Sequence, residues 1–222
     1  QGVVNSYLAI LQAADGDTNT NPTISEQDFT NVGVDMPGIE EISRDALIKL
    51  LIDVVGGLND NDVDLVPNLQ AIVDAATGVM AGMGEKAEGE KPSVDELNTL
   101  GINNVTDDNI FTIRASFVPL SSNGQDYETL AALQKTIDLA IKSYTLGINV
   151  FLLLAEGLMV GVQYIQMGLD ALKVTNLGVG NEAFMYSLLR ETNIPKDQVD
   201  TYAEIQALVD GVNAIRATFN SS

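Results

Sequence analysis

The sequence predicts an all-α fold, organised as three imperfect helical repeats of about 70 residues packed in series. Two observations carry that expectation. Apolar residues recur at i, i+3 and i+4 rather than alternating, and an ordered set of short markers appears three times. Each copy opens on Ala-acid-Gly, centred on Asp15, Glu88 and Glu156. Each then carries two apolar residues and a β-branched one: Phe29, Val32 and Val34, then Leu97, Leu100 and Ile102, then Leu169, Leu172 and Val174. Each closes on a run containing Gln and Asp: Gln70 and Asp74, Gln134 and Asp138, Gln206 and Asp210. From middle marker to closing Gln, copies two and three align without a gap, and copy one carries an insertion near Gly56 to Asp62. The resulting division is 1–86, 87–154 and 155–222. The alternative is that a chain rich in Ala, Leu and Asp produces such echoes by composition alone.

Element by element, a leading helix ends at Leu8 to Leu11, ahead of Ala14-Asp15-Gly16. Thr23 with Glu26 has the spacing of a capping box and opens a short helix reaching Phe29. Ile39, Ile42, Ala46, Leu50 and Val54 predict a second helix, Gly56, Gly57 and Asn59 a loop, and the run around Gln70 a third helix. In copy two, Ser93 with Glu96 and Thr106 before Asp107 mark helix starts. Asn123 and Gly124 mark a loop, and Leu130, Leu133, Ile137 and Ile141 the long helix. In copy three, Asn176 to Asn181 form a loop, and Thr201 with Glu204 caps a helix through Tyr202, Ile205, Leu208, Val209 and Val212. Asp64, Glu128 and Asp200 each precede the closing Gln by six residues, as expected of carboxylates near a helix N-terminus. Gln70 and Asp74, one helical turn apart, predict a surface or inter-repeat hydrogen-bonding pair.

The most apolar stretch runs from Leu146 to Met167 and contains Asn149, Glu156 and three glycines. Aligned with copy one, Phe151 to Leu154 take the place of Leu8 to Leu11, which predicts a buried helix end rather than a membrane span. The following segment, Leu158 to Gln166, is apolar where copy one is polar. Val160, Val162, Tyr164 and Ile165 therefore read either as ordinary core, in part extended, or as a docking face for another chain.

Composition removes several classes of chemistry. The chain has 222 residues and no His, Cys or Trp, so Cys/His zinc sites, Ser-His-Asp and Cys-His catalysis, haem ligation through His and disulfides all lack their reactive atoms. Its 31 acidic and 11 basic residues give a net charge of −20, which repels nucleic acid. An apolar fraction of 45 % is that of a folded chain. The first residue is Gln, without a charged-then-apolar leader, which fits a processed mature chain or a piece of a longer one.

One loop has metal-ligand spacing. Asp15, Asp17, Asn19, Asn21, Thr23 and Glu26 occupy positions 1, 3, 5, 7, 9 and 12 of an EF-hand-like frame, a pattern that wraps hard oxygens round Ca²⁺. Two positions depart from it: Thr20 stands where the sharp turn needs Gly, and Pro22 where an apolar residue is usual. A solvated polar turn ending in the Thr23/Glu26 box accounts for the same residues. A second acidic loop, Asp60, Asp62 and Asp64, lacks a closing bidentate Glu and reads as a solvated surface.

The run AADGDTNTNPT, the short-helix ends FTNVGV and LNTLGINNV, and the closing LQAIVD and IQALVD together resemble the helical tandem repeats of very large secreted bacterial cell-surface proteins of the adhesin kind. The resemblance implies an exported, acidic, non-enzymatic spacer or association module whose partners are copies of itself or neighbouring repeats, located outside the cell or on its surface. The apolar segment of copy three departs from that pattern. Two other readings stand beside it: a self-assembling subunit of an extracellular filament or surface layer, and a carboxylate-dependent hydrolase, although no two carboxylates are placed together in a cleft by the sequence.

Overall fold

The computed structural model describes residues 2–17, 23–38, 42–121, 123–191 and 194–220. Among them the chain is all-α, 67 % helical and without strands. Its α-helices are α1 (Gly2–Ala13), α2 (Glu26–Asn31), α3 (Arg44–Gly57), α4 (Val66–Ala81), α5 (Val94–Thr99), α6 (Ile110–Phe117), α7 (Leu130–Ala155), α8 (Gln163–Leu172), α9 (Glu182–Glu191) and α10 (Tyr202–Asn220). Short 3₁₀ turns stand at Asp60–Asp62, Glu88–Glu90, Gln125–Tyr127 and Lys196–Gln198.

The helices start where side-chain oxygens relieve their unpaired amides. Glu96 accepts the Ser93 N–H at 2.7 Å, and Ser93 Oγ accepts the Glu96 N–H at 3.1 Å. Thr201 and Glu204 form the same reciprocal box, at 3.1 and 3.3 Å. At α2 the box is shifted from the expected Thr23/Glu26 to Ser25/Asp28, where the Asp28 carboxylate accepts the Ser25 N–H at 2.9 Å and its hydroxyl at 2.8 Å. The cause is tertiary. Glu26 is taken by Arg44, and Phe29 is fully buried, which fixes the phase of the helix. The helix expected from Ile39 starts instead at Arg44, capped by Ser43, whose Oγ accepts the Ala46 N–H; Ile39 lies outside the described residues and Ile42 is buried ahead of the helix.

Three short helices end in one geometry. The N–H of Val34 donates to the Phe29 carbonyl at 3.0 Å, that of Ile102 to Leu97 at 3.1 Å and that of Val174 to Leu169 at 2.9 Å. Such six-to-one closure needs a left-handed residue just before the bond donor. Gly33 (φ 96°), Gly101 (φ 80°) and Lys173 (φ 63°) occupy it. A left-handed Lys costs about 1 kcal/mol relative to Gly. Lys173→Gly is therefore expected to raise the unfolding free energy by about that amount in urea melts, without changing helix content.

Two compact units divide the chain: Gln1–Val105 with Ser116–Ile137, and Thr106–Ala115 with Asp138–Ser222. In the first, α2 packs on α1 and α5 on α4, around buried Ile10, Phe29, Leu50, Val73 and Leu97. In the second, one core joins Phe151 and Leu154 of α7, Ile165 and Leu169 of α8, Met185 of α9 and Ile205 of α10. Among the described residues α7 is long and apolar enough to cross a bilayer by length and composition. Its end, Val150 to Leu154, lies largely in that core, with Val150, Phe151 and Leu154 buried, as the helix-end reading expects.

Candidate functional site

The recurring Gln side chains form polar joints between the long helices and the turns that end the short ones. Gln70 on α4 accepts the Asp35 N–H at 2.7 Å and donates to the Asp35 carbonyl at 3.0 Å, while also donating to Asp74 at 2.8 Å. Gln134 on α7 accepts the Asn103 N–H at 2.9 Å and donates to the Asn103 carbonyl at 3.4 Å. A carboxamide has a donor and an acceptor side by side, so it pairs with the N–H and C=O of one residue as a neighbouring strand would. Gln206 on α10 varies the theme. It donates to the Asn176 side chain and to Asp210, each at 3.0 Å, and Asn213 donates to the Asn176 carbonyl at 2.7 Å. Each such bond contributes about 1 kcal/mol. The expected Gln70–Asp74 pair is thus present, and its Gln also reaches the turn.

The candidate calcium loop is only partly described. Asn19 and Asn21 lie outside the described residues. Asp15 accepts the Asp17 N–H at 3.0 Å. Glu26, the intended closing ligand, is held in a two-pronged pair with Arg44, at 2.5 Å through Oε1 and 3.0 Å through Oε2, and Arg44 also donates to the Pro37 carbonyl. Among the described residues no cluster of three or more carboxylates is close enough to hold an ion. In the second acidic loop, Asp62 accepts the Asn59 N–H at 3.0 Å and so caps its own 3₁₀ turn.

Hydrogen bonds from Arg44 hold the Glu26 carboxyl below its usual 4.5, against burial and with help from the guanidinium charge. A carboxyl lowered in the folded state stabilises above its unfolded pKa, and that contribution is lost as pH falls through the lowered value. The pair is largely solvated, so its worth is about 0.5 kcal/mol. Glu26→Gln is expected to be less stable than the parent at pH 7, with the gap closing as pH falls through the lowered Glu26 value and the parent's carboxyl protonates. Urea melts of both proteins at constant ionic strength across that range measure it.

The candidate association residues separate. Val160 is 65 % exposed and Val162 38 %, and Leu158 beside them is 73 % exposed. Tyr164 is half-buried against the core, and Ile165 is fully buried within it. Ile165 is therefore core rather than docking face, and both it and Tyr164 are helical, not extended, because α8 begins at Gln163. What stays at the surface is Leu158, Val160 and Val162 of the irregular stretch before α8, whose Met159 packs against the core.

Two further features carry little sequence signal. Phe111 and Tyr202 stack with centroids 4.9 Å apart and planes 8° from parallel, and Arg114 lies 5.9 Å from the Phe111 ring. A surface cavity of 390 Å³ is walled by Met36, Pro37, Ile42 and Leu47 with Arg44 and Thr77. Its polar groups are already engaged, since Arg44 is paired as above and the Thr77 hydroxyl donates to the Val73 carbonyl at 2.7 Å. No protein family, curated protein or solved structure matches the chain.

Proposed function

We propose that the chain is a non-enzymatic structural protein of three imperfect helical repeats, serving adhesion or self-association outside the cell at a bacterial surface. The observation that carries this reading is the recurrence of one joint. A short helix closes with the same left-handed turn at Gly33, Gly101 and Lys173, and Gln70, Gln134 and Gln206 each reach back to the residues just beyond that turn. The order short helix, second helix, 3₁₀ turn, long helix also runs three times, from α2, α5 and α8. Polar side chains that recur at fixed intervals are spent on turns and joints, which is the use a structural module makes of them.

On this reading the partners are copies of the chain or neighbouring repeats. Nucleic acid is disfavoured by the charge of −20, and α7 serves as a core helix rather than a membrane span. The exposed side chains of Leu158, Val160 and Val162 favour self-association, up to a filament or layer. Like charge opposes contact at long range, so association is expected to strengthen with salt. Val160 and Val162 supply about 2 kcal/mol each if fully desolvated, before the entropy of association is subtracted. Sedimentation velocity at low and high salt tests this. Larger species at high salt, reduced by Val160→Glu with Val162→Glu at unchanged ellipticity, support it; a chain monomeric under all conditions overturns self-association. Calcium at Asp15, Asp17, Asn19, Asn21 and Glu26 belongs to the same proposal and requires Glu26 to leave Arg44. It predicts a higher melting temperature with Ca²⁺ than with chelator, abolished by Asp17→Ala.

A further inference from the structure

The face that runs from the closing Gln toward the end of each long helix is covered on α4 and α7, and on α10 it is not. Counted from Gln70 and Gln206, Val79 of α4 and Met83, two residues past its end, correspond to Ile215 and Phe219 of α10. Val79 and Met83 are both 0 % exposed; Ile215 is 41 % and Phe219 70 % exposed. The corresponding residues of α7 are Ser143 and Gly147. There the cover is visible atom by atom. The Ser143 hydroxyl donates to the Ala171 carbonyl at 2.6 Å, and a side chain on Gly147 would run into Leu172, both partners lying on α8. The Glu96 carboxylate of α5 lies over Gly78 of α4, and Pro92 over Gly82 at its C-cap. In both cases the short helix that follows, or the residue leading into it, occupies the face. The buried stripe of α10 stops at Val212.

We infer that the C-terminal half of α10, around Ile215 and Phe219, is a docking face for a further helical unit of the same pattern, led by a short helix like α5 or α8. This rests on the repeat reading above. The chemistry of the occupant follows from the two covered examples: an apolar residue four before the left-handed turn position and another immediately before it, as Leu97 and Leu100 or Leu169 and Leu172 provide, with a β-branched residue closing the turn. A second copy of the chain is a poorer fit, because its own short helices α2, α5 and α8 already lie on α1, α4 and α7.

The chain has no cysteine, so Phe219→Cys and, separately, Ile215→Cys each give a single thiol whose maleimide labelling rate reports cover. Each is placed in the full chain and in a chain extended after Asn220 by a duplicate of residues 149–220, which continues α10 as α7 continues. Fast labelling in the full chain and a fall of about tenfold or more in the extended one support the inference. An added unit that gains its share of helical ellipticity while both thiols label as before overturns the docking face and leaves the repeat reading standing. An added unit that gains no helix overturns the repeat reading, and the docking face with it. Protection in the full chain that grows with protein concentration assigns the face to a second copy and overturns the choice of occupant.

Discussion

Ile165→Glu is expected to unfold the second compact unit, at a cost of about 4 kcal/mol or more. Ile165 is fully buried in an apolar core with Phe151, Leu154, Leu169 and Met185, where a carboxylate is desolvated. Burial raises the pKa of an introduced Glu, so the loss is partly recovered as pH falls and the carboxyl becomes neutral. Ile165→Met, which keeps volume and apolarity, is expected to cost less than about 1.5 kcal/mol. Val160→Glu and Val162→Glu, on the exposed side of the same segment, are expected within about 0.5 kcal/mol of the parent. Denaturant unfolding followed by ellipticity at pH 7 and pH 5 separates the four; an Ile165→Glu protein as stable as the parent would place this side chain outside the core.

Gly147→Leu is expected to destabilise by about 2 kcal/mol, even though Leu is the better helix former by roughly 0.8 kcal/mol. A Cβ on Gly147 stands 2.9 Å from Leu172 Cδ2 and 3.0 Å from the Gly168 carbonyl oxygen. The side-chain neighbour can move and the backbone neighbour cannot, so α7 and α8 must separate. Leu172→Ala in the same chain is expected to recover part of the loss, giving a coupling of about 1 kcal/mol in a double-mutant cycle. Additive effects would show that the two helices do not meet at this point.

Helix was legible from the sequence because its causes are local. Ser93 with Glu96 and Thr201 with Glu204 need only a three-residue spacing to form a box, and both form one. At α2 two overlapping boxes, Thr23/Glu26 and Ser25/Asp28, satisfy the same rule, and the choice was made by Arg44, a residue from another helix. Gln70 with Asp74 was legible as a pair, but its reach to Asp35 was not, since nothing local shows which turn lies beside α4. The apolar segment of copy three was divided by a helix boundary: Gln163 starts α8 and turns Ile165 inward, while Leu158, Val160 and Val162 stay outside. Gly147 gave no signal, because a glycine that admits another helix looks in sequence like one that merely weakens its own.

The Gln joints bear on which positions are free to drift. Gln70 and Gln134 bind the backbone N–H and C=O of Asp35 and Asn103, and every residue but proline offers the same two groups whatever side chain it carries. Those two positions can therefore change identity without cost to the joint, provided the newcomer is not proline, which has no N–H. Gln206 instead binds the amide side chain of Asn176, which itself donates to Asp210 at 3.0 Å. Two joints thus read the main chain and tolerate substitution opposite the Gln, while the third reads a particular side chain and ties three residues into a set that must change together.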